Sequence, residues 1–76
     1  MRVQIYTKPG CSLCEEARDL LAEAKKDVAL EVEEIDIYSQ QALFDRYRYR
    51  IPVIRIGDTD VLELKFTLPE LMKALQ

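Results

Sequence analysis

Cys11 and Cys14, with Ser12 and Leu13 between them, are the only thiols in a 76-residue sequence that contains no histidine. A Cys-x-x-Cys pair can cycle between a dithiol and a short disulfide. It can also offer two thiolates to a metal. A structural staple is excluded, because two cysteines this close would tie off only a tiny loop. Zinc takes four ligands, so a zinc site would need a dimer or nearby carboxylates, and a cluster bridged between two subunits has the same shortfall. No metal site is therefore expected. The bland alternative is a pair of small buried apolar side chains. The missing histidine also removes a histidine general base and any Ser-His-Asp arrangement.

The segments around the pair say how it is held. Arg2-Val3-Gln4-Ile5-Tyr6 alternates polar and apolar residues and reads as a first strand. Lys8-Pro9-Gly10 breaks it. Leu13, Ala17, Leu20, Leu21, Ala24 and Val28 then recur at helical spacing, with Glu15, Glu16, Asp19, Glu23 and Lys26 on the opposite face. Ser12 and Glu15 have the capping-box spacing, so the helix should start just after Cys11. Cys11 then lies beside the free N–H groups of a helix N-terminus, which favour thiolate over thiol. Lys8 adds a cation nearby, whereas Glu15 and Glu16 oppose it or form a solvated face. Cys14 falls in the first helical turn, within reach of Cys11.

Leu30 to Ile37 reads as a second strand whose apolar parity slips between Val32 and Ile35, by a bulge or by burial on both faces. Ser39 is a candidate cap for a second helix reaching about Tyr47, with Tyr38 and Leu43 at hydrophobic-staple positions. Ile51 to Ile56 is a third strand opened by Pro52, and Val61 to Leu64 a fourth, joined by the turn cluster Gly57-Asp58-Thr59-Asp60. Thr67-Leu68-Pro69-Glu70 is a capping box for a last helix with Leu68, Leu71, Met72 and Leu75 inward. The order β-α-β-α-β-β-α predicts one α/β domain over residues 1–76. Strands one to three should be parallel, the fourth antiparallel, and helices should cover both faces of a four-stranded mixed sheet.

Eleven Lys and Arg against fourteen Asp and Glu give a net charge of −3, which is not the footprint of a nucleic-acid binder. No stretch approaches the roughly 20 apolar residues of a membrane span, and Met1 to Tyr6 does not read as a signal peptide. The expectation is a cytoplasmic monomer. Pro52 would cost a central strand a ladder hydrogen bond. A cis peptide there would turn the Ile51 backbone outward and offer it, with Val53, to an extended thiol substrate. Arg46, Arg48 and Arg50 precede it. Arg50 could meet a substrate carboxylate, or all three could complement a helix C-terminus. Tyr6 and Phe66 read as core or groove packing.

Ile5-Tyr6-Thr7-Lys8-Pro9-Gly10-Cys11-Ser12-Leu13-Cys14-Glu15 followed by Ile51-Pro52-Val53 resembles the glutaredoxins, and most of all the small bacterial glutaredoxin-like proteins. The resemblance spans nearly the whole sequence and implies a minimal thioredoxin fold. It implies Cys11 as nucleophile, Cys14 as resolving thiol, a cis Pro52 and Lys8 as a glutathione contact. Two departures stand out. Ser12-Leu13 replaces Pro-Tyr between the cysteines. Leu64-Lys65-Phe66-Thr67-Leu68 replaces the Gly-Gly-x-Asp-Asp-like segment that holds the γ-glutamyl end of glutathione. The expected activity is thiol-disulfide exchange on a protein or small-molecule disulfide. It needs no bound cofactor and is driven by glutathione or a thioredoxin-reductase-type enzyme. The alternatives are a binding module without turnover and a dimeric metal or Fe–S carrier.

Overall fold

Alternation of apolar residues makes β1 (Arg2–Thr7) a strand with two useful faces. Val3 and Ile5 are fully buried on one face and Tyr6 is buried on the other. The computed structural model describes residues 1–76. After β1 come α1 (Ser12–Ala24), β2 (Glu31–Asp36), a 3-10 turn (Ile37–Ser39), α2 (Gln41–Tyr47), β3 (Val53–Ile56), β4 (Thr59–Glu63) and α3 (Leu68–Ala74). The sheet order is β2-β1-β3-β4, so β1 and β3 are central.

Helices cover both faces. Ala17, Leu21 and Ala24 of α1 and Leu71 of α3 pack with Val3, Ile5, Ile54 and Phe66 on one side. On the other, Tyr47 of α2 and Ile37 of the 3-10 turn pack with Tyr6, Val53, Ile51 and Cys14.

Pairing of β1 with β2 is parallel, but β3 runs antiparallel to both β1 and β4. The expectation of three parallel strands is thus corrected at β3. The cause lies in the connection. The chain leaves β2 at Asp36, the partner of Thr7, and rejoins the sheet at Val53, the partner of Tyr6. It therefore comes back at the same end of the sheet and must run the other way. In the β3–β4 hairpin Ile56 pairs with Thr59. Gly57, at φ 60°, takes the first of the two loop positions, where a II′ turn requires glycine.

The parity slip in β2 involves no bulge, since the register runs unbroken from Arg2↔Glu31 to Thr7↔Asp36. Val32 packs with the α1–α3 layer and Ile35 with the α2 layer, so the strand contributes to both. Four of its six residues are acidic, and it forms one edge of the sheet. Glu34 is bound bidentately by Arg18 of α1, at 2.8 and 2.7 Å. It also accepts from the Thr7 hydroxyl at 3.0 Å, so one carboxylate joins α1, β1 and β2.

Two expected caps are replaced. The α1 N-cap is Cys11 itself, whose sulfur accepts from the Cys14 N–H, and not Ser12 with Glu15. Gln40 caps α2 without a side-chain bond. The Ser39 hydroxyl instead donates to the Asp36 carbonyl, since Ser39 closes the 3-10 turn. Tyr38 stacks on Phe44 of α2. The Thr67–Glu70 capping box forms in full.

Thr67→Ala removes one side of that box and should cost about 0.5–2 kcal/mol, read as a lower urea midpoint at unchanged slope. The Arg18 hydrogen bonds, helped by Thr7, hold the Glu34 carboxyl below its usual range against the opposing effect of burial. A depressed carboxylate pKa adds stability that is present above the unfolded value and is lost as pH falls through the folded value. Glu34→Gln should therefore flatten the acid limb of the stability–pH curve while changing little of its slope near neutral pH. Acid titrations followed by circular dichroism would show it.

Candidate functional site

The loop from Lys8 to Gly10 carries the chain off the end of β1 and delivers Cys11 to the N-terminus of α1. Cys11 adopts extended backbone angles, φ −101° and ψ 109°, as an N-cap does. Its sulfur and that of Cys14 lie at disulfide distance, with the Cα atoms 5.2 Å apart. The two thiols are unequal. Cys11 is half-buried, whereas Cys14 is 0% exposed. The Cys14 N–H donates to Cys11 Sγ at 3.2 Å. A helix N-terminal donor thus points at the sulfur of the less buried cysteine, where negative charge is favoured.

Cys14 belongs to the apolar cluster of Tyr6, Ile37, Tyr47, Ile51 and Val53, and Cys11 packs against it. The structure therefore brings the cysteines together with the segment around Pro52. The Ile51–Pro52 peptide is cis, and Pro52 is fully buried. Lys8 is half-buried in the loop before Cys11 and makes no salt bridge.

Arg50 is engaged elsewhere. Its guanidinium donates to Glu63 at 2.7 Å and Asp60 at 3.2 Å and lies 5.3 Å from the centre of the Tyr47 ring. Hydrogen bonding to Glu63, with Asp60 assisting, raises its pKa further and keeps it charged. Arg46 and Arg55 also reach Asp60, at 3.9 and 3.4 Å, so three arginines share one carboxylate whose side chain is 15% exposed. The Tyr47 hydroxyl donates to the same aspartate at 3.1 Å and accepts from Arg55 at 3.1 Å.

Two features escaped the sequence reading. Tyr47 stacks on Tyr6 at 4.5 Å between ring centres and so roofs the cluster that holds Cys14. Burial, with Tyr47 adding to it, pushes the Tyr6 phenol up and keeps it neutral. The sequence places Tyr47 near the end of the second helix, but only the pairing of strands sets Tyr6 beneath it. The second feature is Leu64, a non-glycine residue at φ 63° and 45% exposed. Its N–H donates to the carbonyls of Pro52 (2.9 Å) and Arg50 (3.2 Å), which fixes the backbone in that left-handed conformation. Leu64, Lys65 and Phe66, with Leu13, Glu16, Ala17 and Leu20 of α1, line a shallow solvent-open hollow. Leu64 and Phe66 stand where the resemblance aligns a Gly-Gly-x-Asp-Asp-like segment. No group of three or more Cys, Asp or Glu side chains is arranged to hold a metal ion.

A family model described as a glutaredoxin-like domain matches residues 2–76. A glutaredoxin-like protein of Dictyostelium discoideum is 30% identical over 59 residues, which cover 70% of this chain and 55% of that protein. The chain thus spans about half the length of the curated relative it matches. Among solved structures, a structural-genomics target protein from X. campestris superposes with a TM-score of 0.81 at 30% identity, over 96% of this chain and 93% of that one. Thioredoxin 1 from Thermosipho africanus superposes with a TM-score of 0.69 at 16% identity, over 99% and 90% of the two chains, a likeness of fold. The architecture is a small thioredoxin fold.

Proposed function

This chain belongs to the glutaredoxin-like domain family, and from that premise we propose that it is a thiol-disulfide oxidoreductase acting through Cys11 and Cys14. The observation that carries the reading is the asymmetry of the pair. One cysteine is half-buried at a helix N-terminus, and the other is fully buried within bonding reach of it.

In the reducing direction the Cys11 thiolate attacks one sulfur of a substrate disulfide. The S–S bond breaks, a mixed disulfide forms at Cys11, and the first substrate sulfur leaves as a thiolate that takes a proton from water. Cys14 then attacks Cys11 Sγ and releases the second substrate thiol, which carries away the proton that Cys14 loses. Two electrons pass to the substrate and a Cys11–Cys14 disulfide remains. The Cys14 N–H and the helix end stabilise the Cys11 thiolate before attack and when it leaves again. Burial holds Cys14 back from solvent, so its accessible target is the mixed disulfide. The chemistry needs no bound cofactor. Its reductant is glutathione or a thioredoxin-reductase-type enzyme, and its substrate a protein or small-molecule disulfide.

Lys8, Arg50 and the Ile51-Pro52-Val53 run are the proposed substrate contacts. Arg50 would have to exchange Glu63 or Asp60 for a substrate carboxylate. Leu64 and Phe66 in the hollow weigh toward the reductase-type donor over glutathione. No helix is long and apolar enough to cross a membrane. The proposed setting is the cytoplasm, with the protein working as a monomer.

Cys11→Ser should abolish disulfide reduction, whereas Cys14→Ser should accumulate a mixed disulfide visible by intact mass. Turnover by Cys11→Ser at the parental rate would sink the mechanism. Reduction assays run with glutathione and glutathione reductase, beside thioredoxin reductase, should show faster turnover in the second system. A pair that no redox buffer can oxidise or reduce would favour a binding module without turnover.

A further inference from the structure

Five of the six arginines reach carboxylates: Arg2, Arg18, Arg46, Arg50 and Arg55 each form a salt bridge. Arg48 forms none, and its side chain makes no hydrogen bond. It is held by aromatic rings instead, with its guanidinium 4.6 Å from the centre of Tyr49 and 5.5 Å from that of Phe44. Phe44 in turn stacks on Tyr38, at 5.4 Å between ring centres and 26° between planes. Tyr38, Phe44, Arg48 and Tyr49 thus form one continuous ladder along the outer side of α2. Its outer members are open to solvent, Tyr38 at 58% and Tyr49 at 79% exposure, and both are among the few large apolar side chains left exposed. The ladder ends at Tyr49, two residues before the Ile51–Pro52 peptide that packs with the cysteines.

From this arrangement we propose that the ladder is a docking surface for an acidic polypeptide segment, carried beside the disulfide of the protein partner that Cys11 attacks. The inference rests on the redox reading only for the partner's disulfide. A guanidinium held over ring faces and hydrogen-bonded to nothing has its N–H donors free to take a carboxylate bidentately. Rings already stacked on one another lose little freedom on binding, and Tyr with Arg is the composition of interface anchors. Charge selects the partner class. Residues 41–50 hold three arginines and one aspartate within a chain of net charge −3. Arg46 and Arg50 are spent on Asp60 and Glu63, which leaves Arg48 as the unmatched cation of this surface. The overall negative charge opposes a polyphosphate backbone, which needs many cations at once. A single carboxylate-bearing strand needs one.

Two cystine peptides of equal length test it, one flanked by glutamates and one by glutamines. Binding is followed by NMR on the oxidised protein, and reduction is followed with the dithiol form. The acidic peptide should bind the parent more tightly and shift the amide signals of residues 44–49. Arg48→Ala should weaken it about tenfold, as expected for a charge-assisted pair. Arg48→Lys should recover part of the loss. The glutamine peptide and a small uncharged disulfide should be unaffected, which separates docking from damage to the site. Equal affinity for the two peptides, or no effect of Arg48→Ala, overturns the proposal. So does displacement of the acidic peptide by a short single-stranded oligonucleotide. If the acidic peptide binds as described but is not reduced, the redox reading falls and the docking surface stands. If both peptides are reduced alike, docking falls and the redox reading stands.

Discussion

A fully buried phenol cannot leave its hydroxyl unpaired, and Tyr47 meets that demand in a way that fixes four elements together. Its ring, carried by α2, lies on Tyr6 of β1. Its hydroxyl donates to Asp60 of β4 and accepts from Arg55 of β3. Asp60 is itself nearly enclosed and would be costly alone, but Arg46, Arg50 and Arg55 surround it. The helix on this face of the sheet is only seven residues long and would be marginal by itself. Tyr47 and its charged collar therefore hold α2 down, together with Leu43 and Phe44 packed on the same cluster. The space beneath it, where Cys14, Ile51 and Val53 meet, exists because that lid is closed.

The inequality of the two sulfurs follows from helical geometry. Cys14, Ala17, Leu21 and Ala24 form the buried stripe of α1, so Cys14 is drawn inward by the same periodicity that packs the helix on the sheet. Cys11 stands one residue before the helix, off that stripe and next to its unpaired donors.

Features set by local rules were legible in the sequence. The Cys-x-x-Cys pair at a helix start, the Thr67–Glu70 box and the inward positions of α3 depend on neighbours within one turn, and they appear where spacing placed them. The parity slip of β2 was visible as a pattern, but its meaning required knowing that both faces of the strand are covered. Non-local matters were not legible. The direction of β3 depends on which end of the sheet the chain returns to, which no residue between Ser39 and Ile51 announces. The α1 cap went to Cys11 because a sulfur can accept a backbone N–H as a hydroxyl does, so the Ser12–Glu15 spacing was a decoy. Arg50 looked free for a ligand because its partners, Asp60 and Glu63, lie on a strand that joins it only after folding.

The sheet has two free edges, and β2 is one of them. An unpaired strand edge invites a second chain to extend the sheet. Here the invitation is answered by Glu31, Glu33, Glu34 and Asp36, which occupy four of the six positions of the strand. In the registers that pair most of the strand with a second copy of itself, carboxylates would face carboxylates across one strand spacing, a destabilising arrangement. The acidity of β2 adds little to the core, yet it works against extension of the sheet along that edge.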